Sequence, residues 1–212
     1  MNSESFTIRL GNFNMTSGLK SSSSYSLTDT VGQITAEFFT SNGYHVKSGL
    51  QYVYTLYDFS FTISSLMIDL GDLTPGVFAT AKHDLIVTAP GQGYAVSAHE
   101  VSPLKNGEGN TIPDTACDNT CTETEARVWS NVSSYGFGYN ATGNDVSSDF
   151  VNGTMFRPFP DLSKNEEPAT VMITSQAGKN RTATVTYKTN IPENQPGGEY
   201  ATQIVYIATP VY

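Results

Sequence analysis

Positive charge is what this sequence lacks most. Its 212 residues hold 11 Lys and Arg against 20 Asp and Glu, a formal charge of -9 with a pI near 4.6. A nucleic-acid groove needs clustered basic side chains to replace the counterions of the phosphate backbone; the few here are scattered, so no nucleic-acid partner is expected. No run approaches the roughly 20 consecutive apolar residues of a membrane helix, and no membrane span is expected. The start, Met1-Asn2-Ser3-Glu4-Ser5, lacks the basic-then-apolar layout of a secretory leader, which fits a cytoplasmic protein or a mature domain behind a start Met. Charged residues of both signs make up only 15% of the chain, which, beside its wealth of turn-forming residues, excludes a coiled coil or helical bundle.

What is abundant is turn-forming and strand-tolerant. Gly, Pro, Ser, Thr and Asn supply 91 of the 212 residues, while 12 Tyr and 11 Phe carry too much apolar surface for a disordered chain. The length suffices to bury a core without an added staple.

Period-two alternation recurs along the chain. Phe6, Ile8 and Leu10; Tyr52, Tyr54 and Leu56; and Phe59, Phe61 and Ile63 each line one face of an expected strand. Further strands are expected at Leu85-Val87, Tyr94-Val96-Ala98, Val128-Trp129, Tyr135-Phe137-Tyr139, Val171-Ile173, Val185-Tyr187 and Ile204-Tyr206. Breakers such as Thr74-Pro75-Gly76, Pro90-Gly91 and Pro196-Gly197-Gly198 separate them. The density of short strands and turns predicts an all-β fold, an antiparallel β-sandwich of immunoglobulin-like or jelly-roll-like form with an N-terminal β segment. Only Thr122-Glu123-Thr124-Glu125-Ala126-Arg127 reads as helical, over one or two turns.

The expected division is a Ser-, Thr- and Gly-rich segment over 1–50, then the main sandwich over 51–212 with a loop-rich stretch at 102–164. The first segment carries a faint echo, Ser24-Tyr25-Ser26-Leu27 and Gly43-Tyr44-His45-Val46. Long loops of this kind are where binding is carried.

Phe61-Thr62-Ile63-Ser64 with Ile68-Asp69-Leu70-Gly71-Asp72-Leu73-Thr74-Pro75-Gly76, and Ala183-Thr184-Val185-Thr186-Tyr187 with Tyr200-Ala201-Thr202-Gln203-Ile204-Val205-Tyr206, resemble strands of bacterial surface β-sandwich modules of the WxL and spore-coat-U-like groups. The resemblance implies a sandwich closed by its last hairpin. The Trp-x-Leu signature is missing, since Ser130 and Asn131 follow Trp129, so peptidoglycan binding is not implied. Gly11-Asn12-Phe13-Asn14-Met15-Thr16-Ser17-Gly18, Asp29-Thr30-Val31-Gly32-Gln33 and Tyr135-Gly136-Phe137-Gly138-Tyr139-Asn140 are similar to phrases in a group of uncharacterised secreted proteins of candidate-phylum bacteria, which implies an extracellular location.

The candidate chemistry is sparse. Cys117 and Cys121 supply half a zinc site at most and are expected as a local disulfide clasp, with a free thiol pair as the alternative. His45, His83 and His99 accompany no Gly-x-Ser-x-Gly elbow, and neither Asp69 with Asp72 nor Glu166 with Glu167 has a spacing that marks a glycosidase; no enzyme is expected. No cofactor is expected beyond a structural calcium, for which residues 114–125 concentrate oxygen donors without the EF-hand order. Asn14, Asn131, Asn140, Asn152 and Asn180 open glycosylation sequons. Tyr135, Phe137 and Tyr139 form a sugar platform if they face outward and core if they face inward.

Phe6, Ile8 and Leu10 present an apolar comb near a chain end. Such a comb fills its own sandwich or is donated to a neighbour's sheet edge. The expected function is a non-enzymatic extracellular structural protein, a cell-surface or filament subunit that self-associates by β-strand addition. The alternative is a surface adhesin or a module binding a glycan or a surface protein.

Overall fold

A computed structural model describes residues 16–31, 38–41, 44–47, 58–151 and 153–211. The Phe6-Ile8-Leu10 comb and the Tyr52-Tyr54-Leu56 alternation lie outside the described residues. The chain divides into two compact units, Met1–Tyr57 and Asp58–Tyr212.

In the first unit two antiparallel hairpins are described. Strand β1 (Thr16–Ser21) pairs with β2 (Ser26–Val31), and β3 (Phe38–Ser41) with β4 (Tyr44–Lys47). Serine sets the first turn: the Ser22 N–H donates to Tyr25 O, and Ser22 Oγ accepts from the Ser24 and Tyr25 N–H groups. Of the echoed tyrosines, Tyr25 stands immediately before β2 and Tyr44 opens β4.

The second unit is also antiparallel in every strand pair. A four-stranded sheet runs in the order β11 (Gly136–Gly143), β14 (Gly178–Asn190), β6 (Ala79–Ala89), β5 (Ser60–Ile63). A three-stranded sheet runs β13 (Ala169–Thr174), β7 (Tyr94–Glu100), β15 (Ile204–Pro210). Two small pairs, β8 (Leu104–Lys105) with β9 (Thr111–Ile112) and β10 (Arg127–Val128) with β12 (Met155–Phe156), occupy the stretch that reads as loop-rich.

Register explains the burial. The pairs Phe61↔Val87, Ile63↔Leu85, Leu85↔Ala183, Ala183↔Gly143, Val185↔Ala141 and Tyr187↔Tyr139 align one face of the four-stranded sheet. On the other sheet Ala98 pairs with Ala169 and Tyr206, and Val96 with Met172 and Ala208. A register shift between Thr170 and Met172 turns both Val171 and Met172 inward. Both faces enter one apolar cluster, which includes Leu85, Val87, Tyr94, Val96, Tyr139, Val171 and Val185. Each such large side chain contributes about 1.5–3 kcal/mol by leaving water. Phe137 and Tyr139 are core, not a platform; Tyr135 stands before β11 and is exposed.

Helix is absent from the described residues apart from a 3-10 turn, Leu162–Lys164. The segment 122–127 is instead a turn in which Thr122 and Glu125 exchange N–H to C=O bonds before β10 begins. Six residues cannot offset the nucleation cost of a helix, and the Ala126 N–H is taken by Asp149 Oδ2.

Glycine allows a close approach along β11. A Cβ at Gly138 would stand 2.8 Å from Arg157 O and 2.7 Å from Thr115 Cγ2, and Gly136 has φ +140 against Thr115. These gaps let residues 113–115 and Arg157 bond the outer edge of β11.

Candidate functional site

The two sheets of the second unit each have one covered and one bare edge. On β11, the Thr115 N–H donates to Phe137 O, the Phe137 N–H to Pro113 O, and Tyr139 exchanges bonds with Arg157. On β13, the Ile173 N–H donates to Asp145 O and the Ser147 N–H to Val171 O. At the opposite edges the described residues supply no such cover. Strand β15 pairs with β7 alone over Ile204–Pro210. The four residues of β5 cover only residues 85–88 of β6, with Ser64 N–H to Asp84 O beyond, so residues 79–83 pair on one side only.

The bare edges lie on the same side of the unit. The His83 ring on β6 stands 5.7 Å from the Tyr206 ring on β15, and the Tyr187 and Tyr206 hydroxyls are 2.9 Å apart. Phe61, Ile63, Ile68, Leu70, Ile204, Tyr206 and Ala208 flank it, packed on the core yet only partly buried. Nothing charged stands in β15, whose outward Ile207 is 42% exposed. His83 itself is engaged: its Nδ1 donates to Ser65 O, and its Nε2 lies 3.3 Å from Tyr187 Oη. His99 is buried on β7, with Nδ1 unpartnered.

Cys117 and Cys121 form a disulfide, Cα atoms 5.6 Å apart. They pack with Trp129, Phe156 and Phe78 in a second apolar cluster, where the ammonium of Lys188 lies 3.8 Å from the Phe78 ring centroid and 4.5 Å from that of Phe156. Burial holds the Lys188 pKa below its ordinary value, against the opposing charge of Asp118. Residues 114–125 do not converge their oxygens. Asp118 accepts from the Ser130 N–H and O–H and the Asn131 N–H, and Glu125 pairs with Arg127. Of the sequons, Asn140 is buried, so its side chain is closed to a glycan.

Asp114, from that same stretch, belongs to a cluster the sequence does not reveal. Glu100 at the end of β7, Asp114 before β11 and Asp161 capping the 3-10 turn each place a carboxylate oxygen within 4.8 Å of the other two. Burial pushes the Glu100 pKa up to about 10, helped by its hydrogen bond to Asp114 and by the charges of Asp114 and Asp161, with Lys164 opposing. The acids stand 14 and 47 residues apart along the chain, so no motif could have shown them.

No protein-family model, curated protein or solved structure matches this chain.

Proposed function

We propose that this chain is a non-enzymatic extracellular structural protein, a cell-surface or filament subunit that associates with copies of itself by β-strand addition. In this reading the four-stranded and three-stranded sheets are the two layers of an antiparallel sandwich left open along one side. Phe6, Ile8 and Leu10 of a neighbouring copy enter that side. The observation that carries the reading is the asymmetry of the edges: among the described residues, β11 and β13 are covered by local chain, whereas β15 and residues 79–83 of β6 have no such cover. A bare edge offers rows of N–H and C=O groups to an incoming strand, and β15 carries no charge to repel one, with a proline only at its last position, whereas the uncovered stretch of β6 carries the exposed Lys82. The partly buried Phe61, Ile63, Tyr206 and Ala208 would receive alternate side chains of that strand. A disulfide fits an oxidising compartment.

Light scattering and electron microscopy on the full chain and on a version lacking residues 1–15 test this. The expected result is large oligomers or filaments from the full chain that vanish on truncation. A monomeric full chain, with the truncated one less stable, would put the comb in its own core and shift the reading to a binding module.

A further inference from the structure

We propose that Glu100, Asp114 and Asp161 form a calcium site. The proposal goes beyond strand addition and does not depend on it.

Geometry supports it first. Ca–O distances of about 2.3–2.6 Å mean that two ligands of one ion stand no more than about 5 Å apart. One oxygen from each of the three acids meets that limit, all within 4.8 Å of one another. The second observation is unmet hydrogen-bonding capacity. The Glu100 side chain is wholly buried, and no donor from outside the cluster reaches Oε1 or Oε2, whose sole partner is the neighbouring acid Asp114; Asp114 Oδ1 likewise receives no outside donor, and Asp161 Oδ2 meets only the Lys164 ammonium at 3.3 Å. Glu100 Oε1, Glu100 Oε2 and Asp114 Oδ1 are three of the seven buried side-chain polar atoms that no donor reaches among the described residues. Buried polar groups ordinarily find a partner, and an orphaned group calls for one.

The surrounding chain holds the acids in place. Asp161 Oδ1 accepts from the Ser163 N–H at 2.8 Å and the Ser163 hydroxyl at 2.6 Å, while the Asp161 N–H donates to Glu166 Oε2 at 2.7 Å. That fixes the carboxylate and leaves Oδ2 to the cluster. The Glu100 N–H donates to Pro160 O, tying the end of β7 to the same turn.

The donor set selects the ion. Three carboxylates and no nitrogen or sulfur suit a hard cation rather than zinc. Magnesium binds at about 2.0–2.1 Å and keeps several waters, which suits a buried, three-carboxylate cluster less well than calcium. Lys164 stands at the rim, its Nζ 2.8 Å from Asp114 Oδ2 and 3.3 Å from Asp161 Oδ2, with a side chain 53% exposed. Its ammonium reaches two of the acids, can swing into solvent, and competes with the ion.

The full chain, stripped with EGTA, is titrated with calcium chloride alone in a calorimeter and melted with and without the ion. One ion per chain is expected, with Tm raised by about 5–10 °C at a calcium concentration a hundredfold above Kd. Lys164→Ala is expected to tighten binding about threefold by removing the competitor. Glu100→Gln, which keeps the shape, and Asp161→Asn should each weaken binding tenfold or more. The proposal is overturned if neither the wild type nor Lys164→Ala gives binding heat or a Tm rise. Binding retained in both Glu100→Gln and Asp161→Asn would place the ion elsewhere, and an equal response to magnesium chloride would overturn the assignment to calcium.

Discussion

Two of the places where the Asp58–Tyr212 unit encloses carboxylates are built in opposite ways. At Arg157 one cation meets one acid: its Nη1 donates to Asp149 Oδ2 at 2.7 Å, its Nε to Tyr139 Oη at 3.0 Å and its Nη2 to Thr170 O, under the Phe150 ring at 4.5 Å. Only Asp149 Oδ1 is left bare there. At Glu100 three acids meet one half-exposed lysine, and three oxygens, both of Glu100 and Oδ1 of Asp114, receive no donor from outside the cluster. The same chain thus closes one charged site from within and leaves the other short of positive charge. The first reads as architecture: it ties β11 to the carbonyl of β13 through the core. The second has the unmet valence of a site that accepts something.

Three changes would break or sharpen that contrast. The largest effect is expected from Arg157→Met, which keeps much of the volume but strands the Asp149 charge and the Thr170 carbonyl. A loss of about 3–5 kcal/mol is expected in denaturant melts. Adding Asp149→Asn to that variant should recover part of the loss, because the stranded charge goes.

Glu100→Gln should act through pH. The Glu100 pKa is raised from an ordinary 4.5 to about 10, so between these values the folded state holds a proton that the unfolded state releases. The contribution is therefore fully present below about pH 4.5 and is lost as pH rises toward 10. Calcium-free wild type should lose stability relative to Glu100→Gln across this window, by at most about 1.4 kcal/mol per pH unit. Melts of both proteins at pH 5, 7 and 9 check the sign; a parallel pair of profiles would leave the two carboxylate sites alike.

The smallest effect belongs to Lys164→Met. Its ion pairs are half in solvent, so a loss of about 0.2–1 kcal/mol is expected without calcium, shrinking at high salt.

Much of the second unit was legible as alternation. Phe61 and Ile63, Leu85 and Val87, Tyr94 through Ala98, Val185 and Tyr187, and Ile204 with Tyr206 all fall in strands, because a strand with one buried face writes its period into the sequence. Of the strands of two residues between 104 and 156 only β10 was approached, by the strand expected at Val128-Trp129; the others were not legible, since two residues carry no period. The segment 122–127 misled because Glu, Ala and Arg favour helix locally, while Asp149 and the turn between Thr122 and Glu125 claim its N–H groups. Of the candidate site, the calcium-rich reading of residues 114–125 named one true member of the acidic cluster, Asp114. Glu100 looks like any strand-end acid, and Asp161 like an ordinary cap.

The sequence by itself determined an all-β chain, the faces of its main strands and a cysteine pair close enough to join, because periodicity and spacing are local quantities. Tertiary structure alone decided which sheet edges are covered, whether the aromatics of β11 face the core, and which acids share a site. Those depend on register between segments far apart in the chain. It is register that carries Arg157 to Asp149 and Asp161 to Glu100, and so decides which charge is answered and which is left waiting.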